Sequence, residues 1–450
     1  GRRESVRPPV RGCRSRCLPL LGGALCLVAL LLTGCVTNPI TGRQQFSIVG
    51  KSDLVSLAKQ AVPSQFASDY GVANDAQANA YVDRIGRKLV ATLKASDVVY
   101  PDMPFSFRIV NAVYVNAYAF PDGTVAITRG MLVELENEAQ LAAVLGHEIA
   151  HVNCGHTASA MSKSTVFDAV VAGTRGYLAS TGSSWADLAG TAGQLGSQVV
   201  LASYSRAQER QADQGGMMYM VRAGYDPQGM VDLMNLLVRL GGSNPSALEQ
   251  MFATHPMSAE RLKAAQDRAA NEYAGQNVGA DSQAAFLSAT ANLRKNKAAF
   301  KQFAVAEGQL AQKQYAAAKA TAEQGLRSAP NDYVGLMLVA QASQKGGNVA
   351  AAQQAASLAA QIDPSGARAQ GVLAQCALQK KDYTGALQHL SAFERQVPGD
   401  PETSFFKGLA YEGSGQNKQA AQAYQSYVLR GGTGSARGQY AARRLQQFAQ

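Results

Sequence analysis

The spacing of apolar residues divides the chain into regions of different periodicity. In residues 52–93, apolar side chains recur every three or four positions, which predicts helices. Residues 105–115 alternate like a strand, and residues 123–128 predict a second strand after a Pro-Asp-Gly turn. Helical spacing dominates from residue 136 onward. The pattern predicts an α+β fold that is mainly helical and contains a small β-sheet.

The C-terminal third of the chain repeats with a period of 34 residues. Small residues at fixed positions let paired helices approach closely, and a proline closes each unit. The pattern resembles the tetratricopeptide repeat and predicts an all-α solenoid over residues 299–450, with about four repeats and a capping helix. Such a solenoid presents a concave face to peptide or protein partners. Three series keep the interval in phase: Pro330, Pro364 and Pro398; Ala318, Ala352, Ala386 and Ala420; and Ala306, Ala340, Ala374 and Gly408.

The composition is that of a globular chain with two or three domains. The 450 residues are 46% hydrophobic and 16% charged, and glycine shows no strict period, which excludes disordered and collagen-like chains. The net charge is +10, but residues 1–34 hold six arginines and one glutamate and therefore carry half of it. Because the remaining excess is spread thinly, we expect no nucleic-acid partner.

The N-terminal segment has the features of a secretory signal. Six arginines precede an apolar run at residues 18–32, which is shorter than the roughly 20 residues of a membrane-spanning helix. The run ends in Leu-Thr-Gly-Cys at 32–35, which resembles the bacterial lipobox. This predicts a lipoprotein signal peptide at 1–34, with an uncleaved N-terminal anchor as the alternative.

The lipobox resemblance also implies where the mature chain is held. It implies that Cys35 is lipidated and that residues 35–50 form a polar, lipidated tether to the membrane. Val36 follows the cysteine, in place of the aspartate that such lipoproteins use for inner-membrane retention. We therefore expect anchoring to the outer membrane, on the periplasmic face.

The strongest chemical signal is an HExxH motif within an apolar, helix-compatible stretch at 141–151. On a helix, His147 and His151 lie on one face about 40° apart, so both imidazoles can bind one metal ion. Glu148 lies beside the first of them, where its carboxylate can take a proton from water. Because the chain has only five histidines, two at this spacing favour a catalytic zinc site over a purely structural pair.

A catalytic zinc ion needs a third protein ligand. Glu209 and Asp213 are four residues apart and would present two carboxylates on one helical face. One of them could bind the metal while the other orients a ligand imidazole. On spacing alone, a solvated acidic face with arginine partners is the favoured alternative.

Several motifs together resemble one family, the HExxH zinc peptidases that include the CAAX-processing proteases and the bacterial β-barrel assembly-enhancing proteases. With a lipobox before the motifs and repeats after them, the chain resembles the assembly-enhancing branch. The motifs follow the family's order between about 45 and 270: residues 116–123, the HExxH helix, residues 205–213, residues 223–227, and Thr254-His255-Pro256 followed by Arg261. The resemblance implies zinc ligands His147, His151 and Glu209, Glu148 as general base, and Asp213 as a further active-site carboxylate of open role.

The remaining histidines and cysteines are predicted to have different roles. His255 could fill the fourth zinc position in a resting state or hydrogen-bond the oxyanion during reaction, and the resemblance favours an active-site role. His156 lies 140° around the helix from the second motif histidine, so we expect it beside the ligands or at the surface. Cys154 is not expected to bind zinc or to form a disulfide with Cys376, and His389 is expected to be structural.

These motifs set the expected organisation of the chain. We expect a zincin-like zinc metallopeptidase domain at 51–272, a linker or helix at 273–298 and the repeats after it. The stretch at 165–197 is rich in glycine, alanine and serine but carries charged residues, which argues for a helical hairpin or lid rather than a membrane span.

The predicted substrate is an extended chain. The strand at 123–128 would let such a chain add as another strand, with Asn116, Gly123 and Val125 as substrate-binding residues. The prediction is thus a lipid-anchored periplasmic zinc endopeptidase for unfolded or misassembled outer-membrane proteins, whose repeats recruit substrates or assembly machinery. The alternative is a chaperone or adaptor that acts mainly through the repeats and has a latent or gated zinc site.

Overall fold

A computed structural model of the protein describes residues 35–163, 203–243, 245–276 and 283–448. The predicted signal peptide and the predicted lid at 165–197 lie outside these residues. Within the described ranges, no helix has the length and apolar character needed to cross a membrane.

The segment predicted to be a tether forms an antiparallel hairpin. Strand β1 (Cys35–Thr37) pairs with strand β2 (Gln44–Phe46). Asn38 shapes the turn between them, because its Oδ1 accepts hydrogen bonds from the backbone N–H groups of Ile40 and Thr41 at 3.0 and 3.1 Å. The hairpin is therefore a structured part of the fold rather than an extended tether.

The small β-sheet has three strands in the described residues: β3 (Ser106–Val110), β4 (Ala117–Ala119) and β5 (Thr124–Thr128). Their order is β3-β5-β4, with β3 parallel and β4 antiparallel to β5. Strand β3 stops short of the predicted end at residue 115, because the chain turns there to enter β4.

The sheet order contradicts one expectation. Strand β5, at the predicted 123–128, is the central strand and is hydrogen-bonded on both sides. Both rows of its backbone N–H and C=O groups are already paired, so an extended substrate cannot add to it. The expectation that this strand offers an open edge is wrong. Among the described residues, the strand beside the motif helix with an outer edge is β4.

Helices surround this sheet, and the HExxH motif lies on one that is buried along its whole length, α4. Helix α5 packs closely against it at Gly216, where a Cβ would lie 2.7 Å from the backbone nitrogen of His147. A further helix begins at 156 and continues to 163. The remaining bounds are α1 (Lys51–Ser68), α2 (Ala76–Val90), α3 (Arg129–Leu132), α4 (Glu138–Asn153), α5 (Arg206–Arg222), α6 (Gln228–Ser243), α7 (Pro245–Thr254) and α8 (Ala259–Asp267).

The C-terminal part confirms the predicted helical repeats. After α9 (Gln283–Ala289) and α10 (Ala291–Arg294), helices follow in four pairs and end in a single helix. The second helices of the pairs begin every 34 residues, as the sequence period requires. The bounds are α11 (Lys297–Ala311), α12 (Tyr315–Leu326), α13 (Tyr333–Lys345), α14 (Val349–Ile362), α15 (Ala367–Gln379), α16 (Tyr383–Gln396), α17 (Pro401–Gly413), α18 (Asn417–Gly431) and α19 (Ala436–Phe448).

The repeats dock onto the N-terminal part through buried polar contacts. The Arg129 guanidinium donates two hydrogen bonds to the Asp332 carboxylate, at 2.8 and 3.0 Å, and both side chains are buried. Arg368 of α15 donates to the carbonyl of Ala67 at 2.9 Å and lies over the ring of Tyr70. One hydrophobic core runs from the first part into the repeats, so the two parts are packed together.

Candidate active site

Helix α4 brings the motif histidines together, as the spacing predicts. The helix begins after Asn137, whose side chain accepts a hydrogen bond from the backbone of Gln140. One turn apart on its buried face, the Nε2 atoms of His147 and His151 lie 3.0 Å from each other. Both imidazoles therefore point at the same place.

Glu209 and His255 complete a cluster of metal-binding groups. Glu209 Oε1 lies 3.3 Å from His151 Nε2, and its Oε2 lies 3.6 Å from His147 Nε2. His255 Nδ1 lies 3.1 Å from Glu209 Oε1 and 3.4 Å from His147 Nε2. One ligand atom from each of the four residues lies within 4.8 Å of the others, and all four residues are buried.

The cluster fits a metal ion better than it fits a hydrogen-bond network. Two imidazoles and a carboxylate are a common donor set for catalytic zinc. Within the described residues, Oε2 of Glu148 is buried and has no hydrogen-bond partner, whereas Oε2 of Glu209 pairs with Arg261 Nη1 at 2.7 Å. Burial would raise the pKa of Glu209, but its hydrogen bonds with His151 and His255 hold the pKa well below its usual range. The carboxylate is therefore ionised.

Asp213 lies behind the cluster and orients one of its histidines. Its Oδ1 lies 3.1 Å from Nδ1 of His147, the ring nitrogen that faces away from the other three groups. Arg261 grips the same carboxylate with two hydrogen bonds of 2.7 Å. Burial would raise the pKa of Asp213, but these contacts lower it. Of the two roles left open by the sequence, the geometry favours orientation of a ligand imidazole.

Glu148 faces the cluster from the side of the β-sheet. Burial raises the pKa of its carboxyl, against the opposing effects of His255 and His147. The backbone N–H of Ala119 in β4 also lowers the pKa of this carboxyl, and His255 Nε2 lies 3.7 Å from its Oε1. The general base expected from the motif thus lies between the cluster and the sheet edge.

The structure also places Tyr204 at the site, a residue for which no role was predicted. Its ring stacks on that of His151, with centroids 3.8 Å apart and an angle of 27° between the planes. Its hydroxyl lies 3.3 Å from Thr157 Oγ1. The only sequence signal was its position directly before the segment that carries Glu209.

The remaining sequence candidates lie outside the cluster. His156 is buried rather than at the surface, and its Nδ1 lies 2.9 Å from Nδ1 of His151. Burial lowers the pKa of His156 to about 4. Cys154 and Cys376 are both buried free thiols. His389 lies in the repeats, where its Nδ1 is 2.9 Å from Gln370 Oε1.

The predicted substrate-binding residues need a new assignment. Val125 is fully buried at the centre of the sheet, and Gly123 lies in the preceding turn with φ +91°. Asn116 is buried directly before β4, and its carbonyl accepts a hydrogen bond from Thr128. In this register, the N–H and C=O groups of Ala117 and Ala119 point away from β5, so β4 offers the edge that was expected of β5.

An apolar pocket opens beside the catalytic candidates. The pocket lies next to His147 and Glu148 and beside Ala117 of β4. Its cavity is small, with a volume of about 30 Å³. Unbranched methionine side chains adapt to ligands of different shape. Its apolar lining comprises Ala117, Val144, Met230, Leu233, Met234, Leu237, Met251 and Met257.

Comparison with known proteins agrees with this geometry. Residues 76–269 match the family model of Peptidase family M48. The β-barrel assembly-enhancing protease of Yersinia pestis is 34% identical over 42% of this chain and 38% of its own length, and that of Escherichia coli K12 is 30% identical over 44% and 40%. The chain thus spans about two fifths of the length of these curated relatives.

Two further similarities differ in coverage. The metalloprotease YcaL of Escherichia coli K12 is 27% identical over 55% of this chain and 96% of its own length. The solved structure of YrrB, a tetratricopeptide-repeat protein, covers 46% of this chain at 14% identity and a TM-score of 0.30. The residues that match the family model include α4, α5 and His255.

Proposed function

We propose that the protein is a zinc-dependent endopeptidase that cleaves unfolded or misassembled proteins. The observation that carries the proposal is the convergence of His147, His151 and Glu209 on one point, with the buried carboxylate of Glu148 beside it. These four side chains match the parts of a metal-assisted hydrolase: three ligands and a general base.

The chain's own residues would divide the work of hydrolysis. His147, His151 and Glu209 would hold the ion, which supplies a Lewis acid for the scissile carbonyl and lowers the pKa of water. Glu148 takes the proton of the attacking water as its oxygen adds to the carbonyl carbon. It then passes that proton to the leaving amine nitrogen as the C–N bond breaks. Asp213 keeps His147 in the orientation that this chemistry needs.

The substrate would bind as an extended strand along β4. Its backbone would pair with the outward-facing N–H and C=O groups of Ala117 and with the outward-facing C=O of Ala119, in the manner of an added strand. An apolar side chain next to the scissile bond would enter the methionine-lined pocket and displace its flexible walls. Folded proteins cover most of their strand edges and bury most of their large apolar side chains, so the site favours unfolded chains.

The sequence and the relatives support a location on the periplasmic side of the outer membrane. The lipobox resemblance at 32–35 supports lipid anchoring through Cys35, and the names of the Yersinia and Escherichia relatives support work on β-barrel proteins in the outer membrane. The repeats would recruit substrates or assembly machinery on the periplasmic side, since a solenoid is a surface for protein partners.

One observation favours a gated site. His255 takes part in the four-membered cluster and also faces Glu148, so in this arrangement it competes with water for both. A chaperone or adaptor with a latent zinc site would keep this arrangement permanently. A gated peptidase would release it when substrate binds.

A cleavage assay separates these possibilities. An unfolded protein substrate is incubated with the wild type, Glu148→Gln and His255→Ala, each with and without a zinc chelator. We expect chelator-sensitive cleavage by the wild type and by His255→Ala, and none by Glu148→Gln. If no variant cleaves while each binds zinc, the peptidase proposal fails and the adaptor function takes its place.

A further inference from the structure

The N-terminal hairpin is joined to the metal cluster by a continuous chain of hydrogen bonds. Asn38 Nδ2 donates to Gln211 Oε1 at 3.0 Å, and the same oxygen lies 2.9 Å from His156 Nε2. The other ring nitrogen of His156, Nδ1, lies 2.9 Å from Nδ1 of His151. Three side chains, those of Asn38, Gln211 and His156, therefore connect the hairpin turn to the proposed zinc ligand His151.

In this series of hydrogen bonds, each proton can be assigned so that every donor faces an acceptor. A histidine that binds a metal through Nε2 carries its proton on Nδ1, so Nδ1 of His151 donates to Nδ1 of His156. The proton of His156 then lies on Nε2 and is donated to Gln211 Oε1. That oxygen also accepts from Asn38, whose second amide hydrogen is donated to Gln45 Oε1 at 3.1 Å. No two donors and no two acceptors face each other.

The hairpin is packed tightly enough to hold the chain of bonds in place. Gln45 Nε2 donates to the carbonyl of Cys154 at the end of α4. Ile40 covers Gly215 of α5, where a Cβ would lie 3.2 Å from its Cδ1. His156 and Asn38 are almost completely buried, with 0% and 2% of their surfaces exposed. Water therefore cannot replace these partners at low cost.

From this geometry we infer that the hairpin orients the zinc ligand His151 through Asn38, Gln211 and His156. These three are positioning residues, and none of them touches the substrate or the reacting atoms. The inference rests on the proposed zinc function. It adds that metal affinity depends on the segment that follows Cys35, the residue predicted to carry the lipid.

The test measures zinc affinity in the full-length chain by competition with a chromophoric chelator, so it needs no catalytic turnover. His156→Leu removes both of its hydrogen bonds and is expected to weaken zinc binding about 10- to 100-fold. His156→Asn keeps an acceptor at the Nδ1 position and is expected to regain most of that loss. Asn38→Ala is expected to weaken binding by a smaller factor, about 3- to 10-fold.

A double-mutant cycle separates orientation from a general structural effect. If Asn38 acts through His156, then Asn38→Ala has no further effect on zinc affinity in the His156→Leu background. Gln44→Ala is the matched control, because Gln44 neighbours Gln45 in β2 but donates only to the exposed Thr37 at 2.8 Å. It is expected to leave zinc affinity unchanged, and thermal unfolding of each variant checks that it folds.

Three results would overturn the inference: wild-type zinc affinity in His156→Leu, no recovery in His156→Asn, or an equal effect of Asn38→Ala in both backgrounds. A wild type that binds zinc tightly but cleaves no substrate would refute the proposed function and leave these affinity differences intact. A wild type that binds no zinc would refute both.

Discussion

The contact between Arg129 and Asp332 makes a quantitative prediction about how the repeats are held. Both side chains are buried, with 6% and 3% of their side-chain surfaces exposed. In addition, Arg129 Nε donates to the carbonyl of Asn111 at 2.7 Å, and the guanidinium lies 4.3 Å from the centre of the Phe300 ring. The pair is therefore a buried salt bridge, in which removal of one partner leaves an uncompensated charge.

Replacement of Arg129 by methionine keeps most of the volume and removes the charge. Breaking a buried pair from one side costs about 3–5 kcal/mol. Asp332 keeps two backbone donors at the start of α13, Val334 at 2.9 Å and Gly335 at 3.2 Å, so we expect the lower end, about 3 kcal/mol. The double variant Arg129→Met with Asp332→Asn keeps those caps without a buried charge, so it is expected to regain part of the loss.

Equilibrium unfolding in urea, followed by circular dichroism, measures the change in the free energy of unfolding. Arg210→Met is the control, because Arg210 pairs with Glu260 at 3.2 Å on the surface, where 41% and 66% of the two side chains are exposed. We expect a change below about 1 kcal/mol for that variant. Equal losses from Arg129→Met and Arg210→Met would refute the reasoning, and so would a double variant less stable than Arg129→Met.

Three further predictions concern the site and its surroundings. His255→Ala is expected to raise kcat/KM on a short unfolded peptide, because it frees the fourth ligand position and Glu148; a lower value would assign His255 to catalysis instead of gating. Ala117→Pro removes an outward-facing N–H from β4 at a position that an edge strand tolerates, so KM for an unfolded protein should rise while zinc affinity stays constant; an unchanged KM would argue against strand addition. Burial raises the pKa of the Glu307 carboxyl. Ionisation of this group therefore lowers the free energy of unfolding as the pH rises from its unfolded pKa through its raised folded pKa. Glu307→Gln should therefore raise Tm at pH 7.5 and leave it unchanged below pH 4, and an equal shift at both pH values would contradict the assignment.

Local patterns in the sequence predicted the parts of the site that lie on single helices. The i,i+4 spacing placed His147 beside His151, and the same spacing placed Glu209 and Asp213 on one face of α5. Each of these predictions needs only the helical repeat. The assignment of Glu209 to the cluster came from the family resemblance, because spacing alone favoured a solvated face.

Features that depend on contacts between distant segments could not be predicted from the sequence. The order of the three strands decides whether β5 or β4 has a free edge, and nothing in residues 123–128 encodes that order. Likewise, the stacking of Tyr204 on His151 and the docking of the hairpin through Asn38 join segments far apart in the chain. Such contacts follow from tertiary packing, which a single sequence does not display.

The central claim is that His147, His151 and Glu209 hold one zinc ion, which Glu148 uses to cleave peptides. The most direct test is a titration: the purified chain is stripped of metal, and cleavage of a fluorogenic unfolded peptide is followed as zinc is returned. We predict no cleavage by the stripped chain, full cleavage at one equivalent of zinc, and none at any zinc concentration in Glu148→Gln, which should still bind one equivalent. Cleavage by the stripped chain, or by Glu148→Gln, would contradict the claim.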